Sequence, residues 1–126
     1  MEFELNDREY LYEAVAEKLT EFGVPQMRLG FTYLLETIVR VFEGNGEICG
    51  ITKTVYPALA REFCTTPQAA EKAMRTAISD ACASGSEKLF LLGNKKDPIH
   101  FTNKEFIFKT VNALKKQLGT VNIDKY

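Results

Sequence analysis

The sequence predicts an all-α fold, a single compact domain of about five to six helices that contains a helix-turn-helix. Its 126 residues fit the usual length of one domain. Apolar residues recur at three- and four-residue spacing in segments separated by Gly and Pro, which is typical of amphipathic helices. The polar-capped, Ala-rich segment 65–79 follows another helical pattern after a very short turn. That order indicates the second helix of a helix-turn-helix.

The first predicted helix begins after a short lead-in at residues 1–5, which we expect to be disordered or frayed. Asn6 stands in the cap position, with Glu9 three residues later as in a capping box. Gly23 is placed to end the helix in a left-handed turn. Its apolar positions follow a helical period: Leu11, Ala14, Val15, Leu19 and Phe22.

A second helix is predicted from about residue 27 to residue 42, after a proline turn at 24–25. Gly30 lies near its start, where the missing side chain permits close packing against a neighbour. The segment 43–46 is the strongest turn signal in the chain. The predicted buried stripe of this helix is Phe31, Leu34, Leu35, Ile38, Val41 and Phe42.

The helix-turn-helix predicted at residues 52–83 starts with a helix that runs to residue 63 and contains Pro57. The proline must either kink that helix or open its main part. Thr66 caps the second helix, with Pro67 at the first helical position, where a missing N–H costs nothing. Gly85 ends this helix, whose predicted inner face is Ala70, Ala73, Met74, Ala77, Ile78, Ala81 and Cys82.

The C-terminal part contains one more long helical pattern. After a short apolar segment at 89–92, the final helix is predicted to open at the capping box 102–105. We expect it to stop before Gly119, with a frayed tail at 120–126. Its predicted buried positions are Phe106, Ile107, Val111, Leu114 and Leu118.

Charge is distributed unevenly along the chain, although the formal net charge is only −1. Residues 1–49 hold four basic and ten acidic side chains, a net of −6. Residues 50–126 hold twelve basic and seven acidic side chains, a net of +5. A positive half of this kind indicates contact with nucleic acid.

The sequence contains no recognisable catalytic or metal-binding constellation. Cys49, Cys64 and Cys82 form no CxxC pair, and with the single His100 they make no zinc set. There is no glycine-rich phosphate loop and no HExxH motif, so we expect neither an enzyme nor a cofactor. The N-terminus lacks a signal-peptide layout, and no apolar run is long enough for a membrane helix. We therefore expect a cytoplasmic protein with no membrane partner.

The outer face of the second helix of the helix-turn-helix is the candidate binding site. Arg and Lys donate to guanine, Gln pairs with adenine and Glu accepts from cytosine, so the residue types there match base-edge chemistry. The alternative is a solvated face with a Glu71–Arg75 ion pair worth about 0.2–0.5 kcal/mol. The polar residues at three- and four-residue steps are Gln68, Glu71, Lys72, Arg75, Thr76 and Ser79.

Several motifs give the chain a family resemblance over residues 22–118. They are GVP followed by GFTYL, then ITKTVYPALAREFCTT, the EKAMR core of the candidate binding helix, and TNKEF. With these motifs the chain resembles the C-terminal DNA-binding (effector) domain of the sporulation stage-zero response regulator, the master regulator of endospore formation.

The resemblance implies an all-helical domain of the winged-helix-like, response-regulator effector class. Its helix-turn-helix is expected to enter the major groove of a short box of TGTCGAA type, with Glu71, Lys72 and Arg75 reading bases. The resemblance also implies a homodimer on tandem boxes, switched by phosphorylation of a receiver domain. It further implies contact with the sigma subunit of RNA polymerase through residues 84–93. A receiver would not fit in the first 21 residues, so we expect an excised domain or a free-standing relative.

Two positions depart from the family pattern. Lys72 stands where the best-known members have arginine, and Thr76 where they have histidine. Lysine lacks the rigid bidentate fork of arginine, so guanine readout at this position is expected to be softer.

The leading hypothesis is therefore a sequence-specific DNA-binding transcription regulator. The alternative is a protein-interaction module that kept the fold, lost specific DNA binding and docks a partner through its acidic first helix. For the regulator, the residues expected to contact the DNA backbone or flank the base readers are Lys53, Thr66, Gln68, Thr76, Ser79, Lys95 and Lys96.

Overall fold

The computed structural model describes residues 2–44, 50–95 and 98–123. Within these ranges, side chains are described from residue 7 to residue 118. The described ranges form six α-helices and one π-helical turn. The described ranges contain no strand, so the predicted all-α class is confirmed. Each helix in them falls short of the length or the apolar character that crossing a bilayer requires. In order, the elements are α1 Glu2–Glu21, α2 Leu29–Phe42, the π turn Ile51–Val55, α3 Tyr56–Glu62, α4 Pro67–Ser84, α5 Glu87–Leu92 and α6 Asn103–Ile123.

α1 starts earlier than the sequence predicts. It begins at Glu2, so Asn6 lies inside the helix and its predicted role as the cap is wrong. The lead-in predicted at residues 1–5 is likewise wrong from residue 2 onward. Glu, Phe and Leu in that segment continue a helix readily, and an interior Asn costs under about 1 kcal/mol. Gly23 follows the end of the helix with a left-handed φ of +89°, as predicted.

α2 lies at the centre of the fold and packs against α1, α3, α4 and α6. Gly30 lets α4 approach closely, as predicted. A Cβ added at Gly30 would lie 2.3 Å from the Ala73 carbonyl oxygen and 2.6 Å from the Ala77 Cβ. Of the turn predicted at 43–46, residues 45 and 46 lie outside the described ranges. The predicted stripe faces the core, with Phe31, Leu34, Ile38 and Val41 buried and Leu35 and Phe42 half-buried.

The first helix of the helix-turn-helix is divided at Pro57. The Tyr56 N–H donates to the Ile51 carbonyl at the end of the π turn, and α3 then starts with Pro57 in its first turn. Proline has no N–H, so it suits the first turn of a helix and interrupts regular α-helical bonding ahead of it. Pro57 therefore opens the main part of the helix, which is one of the two outcomes that the sequence left open.

A short turn joins α3 to α4. Cys64 adopts a left-handed φ of +54°, and the Thr65 N–H donates back to a carbonyl of α3 at 2.9 Å. Thr66 caps α4 by accepting from the Ala69 N–H at 3.0 Å, and Pro67 occupies the first helical turn, both as predicted. The chain therefore reverses within a few residues, which is the geometry of a helix-turn-helix.

α5 is tied to the end of α1. Ser86 caps α5 by accepting from the Leu89 N–H at 3.3 Å, and its hydroxyl donates to the Glu21 carbonyl at 2.8 Å. The apolar segment predicted at 89–92 thus belongs to a short helix that begins at Glu87, and its Leu89 is fully buried.

α6 opens with the predicted capping box. The Thr102 N–H donates to Glu105 Oε1 at 3.0 Å, and the Glu105 N–H donates to Thr102 Oγ1 at 3.1 Å. The helix continues through Gly119 to Ile123, so the predicted stop before Gly119 is wrong. A single interior glycine costs only about 1 kcal/mol, which a long helix tolerates. Residues 124–126 of the predicted tail lie outside the described ranges.

Candidate nucleic-acid interface

α4 presents one buried face and one exposed face along its whole length. The buried face consists of Ala70, Met74, Ala77, Ile78 and Ala81, so α4 packs through small side chains. The opposite face is the predicted polar stripe, with Gln68, Lys72, Arg75, Thr76 and Ser79 all exposed. Their positions therefore suit contact with a ligand outside the protein, and their role in DNA binding stays a prediction.

Glu71 lies at the margin of this stripe and is half-buried. Its Oε1 accepts from the Arg75 guanidinium at 2.6 Å, in the ion pair that the sequence offered as an alternative to base reading. An exposed pair of this kind stabilises a helix by only about 0.2–0.5 kcal/mol. Its small energy means that either partner can exchange this contact for a base edge.

The N-terminus of α4 adds one backbone donor to the same surface, the Gln68 N–H, because Pro67 has no N–H and the next two N–H groups donate to Thr66. The first N–H groups of a helix have no intrahelical partner and favour anions such as phosphate. Thr66 uses Oγ1 as the acceptor for the cap, and its hydroxyl hydrogen remains free to donate. Thr66 is exposed, so the predicted backbone contact is sterically open.

The three lysines predicted to contact the DNA backbone do not form one cluster. Lys53 is exposed in the π turn, whose Thr52 lies beside the N-terminal end of α4. Lys95 follows α5, has a left-handed φ of +62° and is exposed. No contact among the described residues joins it to α4. Lys96 lies outside the described residues.

A cavity of about 510 Å³ opens between the N-terminal ends of α4 and α6. Its lining brings Asn103 and Lys104 of α6 next to Gln68 and Glu71, an association that sequence reasoning missed. These residues are separated by more than 30 positions, so no local spacing links them. The available signal was the polar Asn103 beside the apolar run of α6. The lining residues are Thr52, Tyr56, Pro67, Gln68, Glu71, Thr102, Asn103 and Lys104.

Two polar groups at this cavity are largely removed from water. Asn103 is only 7% exposed, and its Nδ2 donates to the Glu71 backbone carbonyl at 3.0 Å. Tyr56 is 4% exposed, and burial raises the pKa of its hydroxyl above the ordinary value, an effect that a hydrogen bond with Asn103 opposes. α3, α4 and α6 therefore meet at a polar contact below the exposed stripe.

The basic side chains of residues 1–49 are all ion-paired, whereas several basic side chains of the other half are not paired within the described part of the chain. The four basic residues of the acidic half each lie 2.8 to 3.8 Å from a carboxylate: Arg8, Lys18, Arg28 and Arg40. Lys53, Lys72 and Lys104 make no ion pair with any other described residue. Positive charge around the N-terminal end of α4 is therefore available to an anionic partner.

A family model described as the sporulation initiation factor Spo0A C terminal matches residues 15–114. The match extends from the middle of α1 to the middle of α6 and includes the whole helix-turn-helix. It covers more than half of the chain and confirms the family resemblance on which the sequence prediction depended.

Proposed function

Since this chain belongs to the sporulation initiation factor Spo0A C-terminal family, the DNA-binding effector domains of a sporulation regulator, we propose that it is a sequence-specific transcription regulator that inserts α4 into the major groove. The observation that supports this most directly is the exposed polar stripe on α4, opposite its buried alanine face. The regulator is expected to act in the cytoplasm.

The proposed base readers are Glu71 and Lys72, adjacent in the second turn of α4, and Arg75, one turn later. Arginine suits a bidentate contact with guanine, and glutamate accepts from the cytosine amino group. Lys72 lies in the middle of the exposed face without an ion pair to other described residues. As a flexible point charge, it should tolerate more than one base at its position.

The proposed flanking contacts position the helix on the DNA backbone. Phosphate contacts fix register and supply most of the salt dependence, whereas base contacts supply sequence preference. The residues in this role are Lys53, Thr66, Gln68, Thr76, Ser79, Lys95 and Lys96. Homodimer formation on tandem boxes and contact of residues 84–93 with an RNA polymerase sigma subunit are further parts of the proposal. Leu91, 52% exposed on α5, provides apolar surface for the latter contact.

The test is a titration of labelled duplex at two salt concentrations, with a TGTCGAA-type box and a scrambled duplex of the same composition. We expect binding that weakens steeply with salt and prefers the box, because counterion release and base contacts contribute separately. Selection from a randomised pool then defines the preferred sequence. Equal binding of box, selected and scrambled duplexes at both salt concentrations contradicts the proposal.

The second candidate function is a protein-interaction module, and one observation favours it. Glu9, Glu13 and Glu17 are all exposed on α1 at four-residue spacing and form an acidic stripe. Like charges at this spacing weaken an isolated helix, so a basic partner would relieve the repulsion. Absence of any DNA binding at low salt is the result that this alternative predicts.

A further inference from the structure

The two ends of α4 are held in different ways. Towards its C-terminal end, Ala73 and Ala77 pack directly against Gly30 of α2. At its N-terminal end, the cavity of about 510 Å³ separates α4 from the start of α6. The Asn103 side chain spans this gap, with Nδ2 at 3.0 Å from the Glu71 carbonyl oxygen.

The acceptor of this hydrogen bond lies among the proposed base readers. The Glu71 carbonyl belongs to the peptide that links Glu71 to Lys72, and helix geometry directs the Arg75 N–H to the same oxygen. A displacement at this carbonyl therefore moves all three side chains together. The contact is with the backbone of α4, so it leaves the side chains free to meet DNA.

The burial of the polar Asn103 side chain lowers stability unless its hydrogen bonds offset the loss of contact with water. It is 7% exposed, and its Oδ1 is buried without a hydrogen-bond partner among the described residues. Burial of a polar atom without a partner is unfavourable, so packing alone favours an apolar residue here. The amide nitrogen is the half that has partners, since it donates to the Glu71 carbonyl of α4 and also hydrogen-bonds the Tyr56 hydroxyl of α3.

We propose that Asn103 is a positioning residue, which fixes the base-reading part of α4 relative to α6. The inference rests on the proposed DNA-binding function. Base-edge hydrogen bonds depend on distance and angle, whereas phosphate attraction depends mainly on charge. Loss of the Asn103 contact should therefore reduce discrimination between DNA sequences and leave non-specific binding largely intact.

The experiment compares Asn103→Ala and Asn103→Leu with the wild-type chain on the selected box and on scrambled duplex. Leucine is close to asparagine in shape and size, so that variant removes the donor without adding charge near the DNA-binding surface. We expect the ratio of box to scrambled affinity to fall about tenfold in both variants, with the salt dependence unchanged. Unfolding curves identify a temperature at which each variant is folded.

Thr110→Val is the matched control. Thr110 is also a fully buried polar residue of α6, and its Oγ1 has no partner among the described residues. The control should alter stability and leave the affinity ratio unchanged. The double variant Asn103→Ala/Arg75→Ala tests whether Asn103 acts through the base readers. If it does, the loss of sequence discrimination in the double variant is smaller than the sum of the losses in the two single variants.

Amide hydrogen exchange of the free chain supplies a readout that needs no DNA. Exchange within residues 71–76 should accelerate in both Asn103 variants and not in Thr110→Val. Suppose that the wild type discriminates between the duplexes. If the Asn103 variants then keep the wild-type ratio of box to scrambled affinity, or the wild-type exchange rates, the inference is overturned and the proposed function stands. If the wild type shows no preference for any duplex, the proposed function fails and the inference fails with it.

Discussion

The two faces of α4 differ in the size of their side chains and in what those side chains contact. The inner face is made of alanines with Met74 and Ile78, and it meets α2 at the backbone distance that Gly30 permits. The outer face carries Lys72 and Arg75 and is exposed. The comparison shows how one helix separates two tasks, since the inner face determines stability and the outer face is available for binding. Substitutions on the two faces should therefore have separable effects.

The largest expected effect is on the inner contact. Gly30→Ala introduces a Cβ that meets backbone at 2.3 Å, so we expect a loss of about 1–3 kcal/mol or more in the free energy of unfolding. Denaturant unfolding measures it. Gly50→Ala is the control, because the nearest atom to its added Cβ is 3.9 Å away, and it should change stability by less than about 0.5 kcal/mol. Equal stabilities for the two variants would show that α2 and α4 are not in this close contact.

The next effect concerns the outer face. Arg75→Ala should weaken binding to the preferred box by about 1–3 kcal/mol and relax specificity there, with little change in stability. Duplex titrations measure both affinities. Arg8→Ala removes the same charge from the acidic half, where Arg8 pairs with Glu43 at 3.4 Å, and should leave the box preference unchanged. An equal loss on box and scrambled duplex excludes base reading by Arg75.

A smaller effect is expected at the N-terminus of α4, where Thr66 caps the helix. Thr66→Ala removes the cap of α4 and should lower the free energy of unfolding by about 1 kcal/mol. Thermal unfolding measures it. Thr76→Ala is the control on the same helix: its side chain is exposed and makes no cap, so the change should be neutral or slightly stabilising. A Thr66→Ala variant as stable as the wild type means that the cap contributes nothing.

The smallest effect should come from an ion pair at the edge between the faces. Arg28 lies 2.8 Å from Asp80, with side-chain exposures of 54% and 34%. Water screens such a pair, so Asp80→Ala should cost about 0.2–1 kcal/mol, and less in high salt. A double-mutant cycle with Arg28→Ala measures the pair itself. A coupling that does not change with salt contradicts an electrostatic origin.

Single residues and short motifs predicted a helix end correctly where the contact that fixes that end joins residues close in sequence. Thr66, the capping box of α6, Gly23 and Gly85 all behave as predicted. Asn6 was predicted wrongly, because a strong cap residue does not stop a helix whose preceding residues also favour helical structure. Pro57 left two outcomes open, since its ring restricts the backbone without selecting the geometry ahead of it.

The candidate site was predicted only in part for the same reason. The exposed stripe on α4 follows from the helical period, and the family match confirms the resemblance that pointed to it. Asn103 and Lys104 were missed as neighbours of α4 because their proximity depends on how α6 docks. The roles of Glu71, Lys72 and Arg75 as base readers stay predictions until DNA binding is measured.

By itself, the sequence determined the helical class, most helix ends and the two faces of α4. These features arise from interactions within about one or two helical turns, which residue spacing records directly. Only the tertiary structure decided that Gly30 meets α4, that Pro57 follows a π turn, and that Asn103 reaches the Glu71 carbonyl across a cavity. Those outcomes depend on the packing of segments distant in sequence, where shape and volume select one arrangement among many that the same local pattern allows.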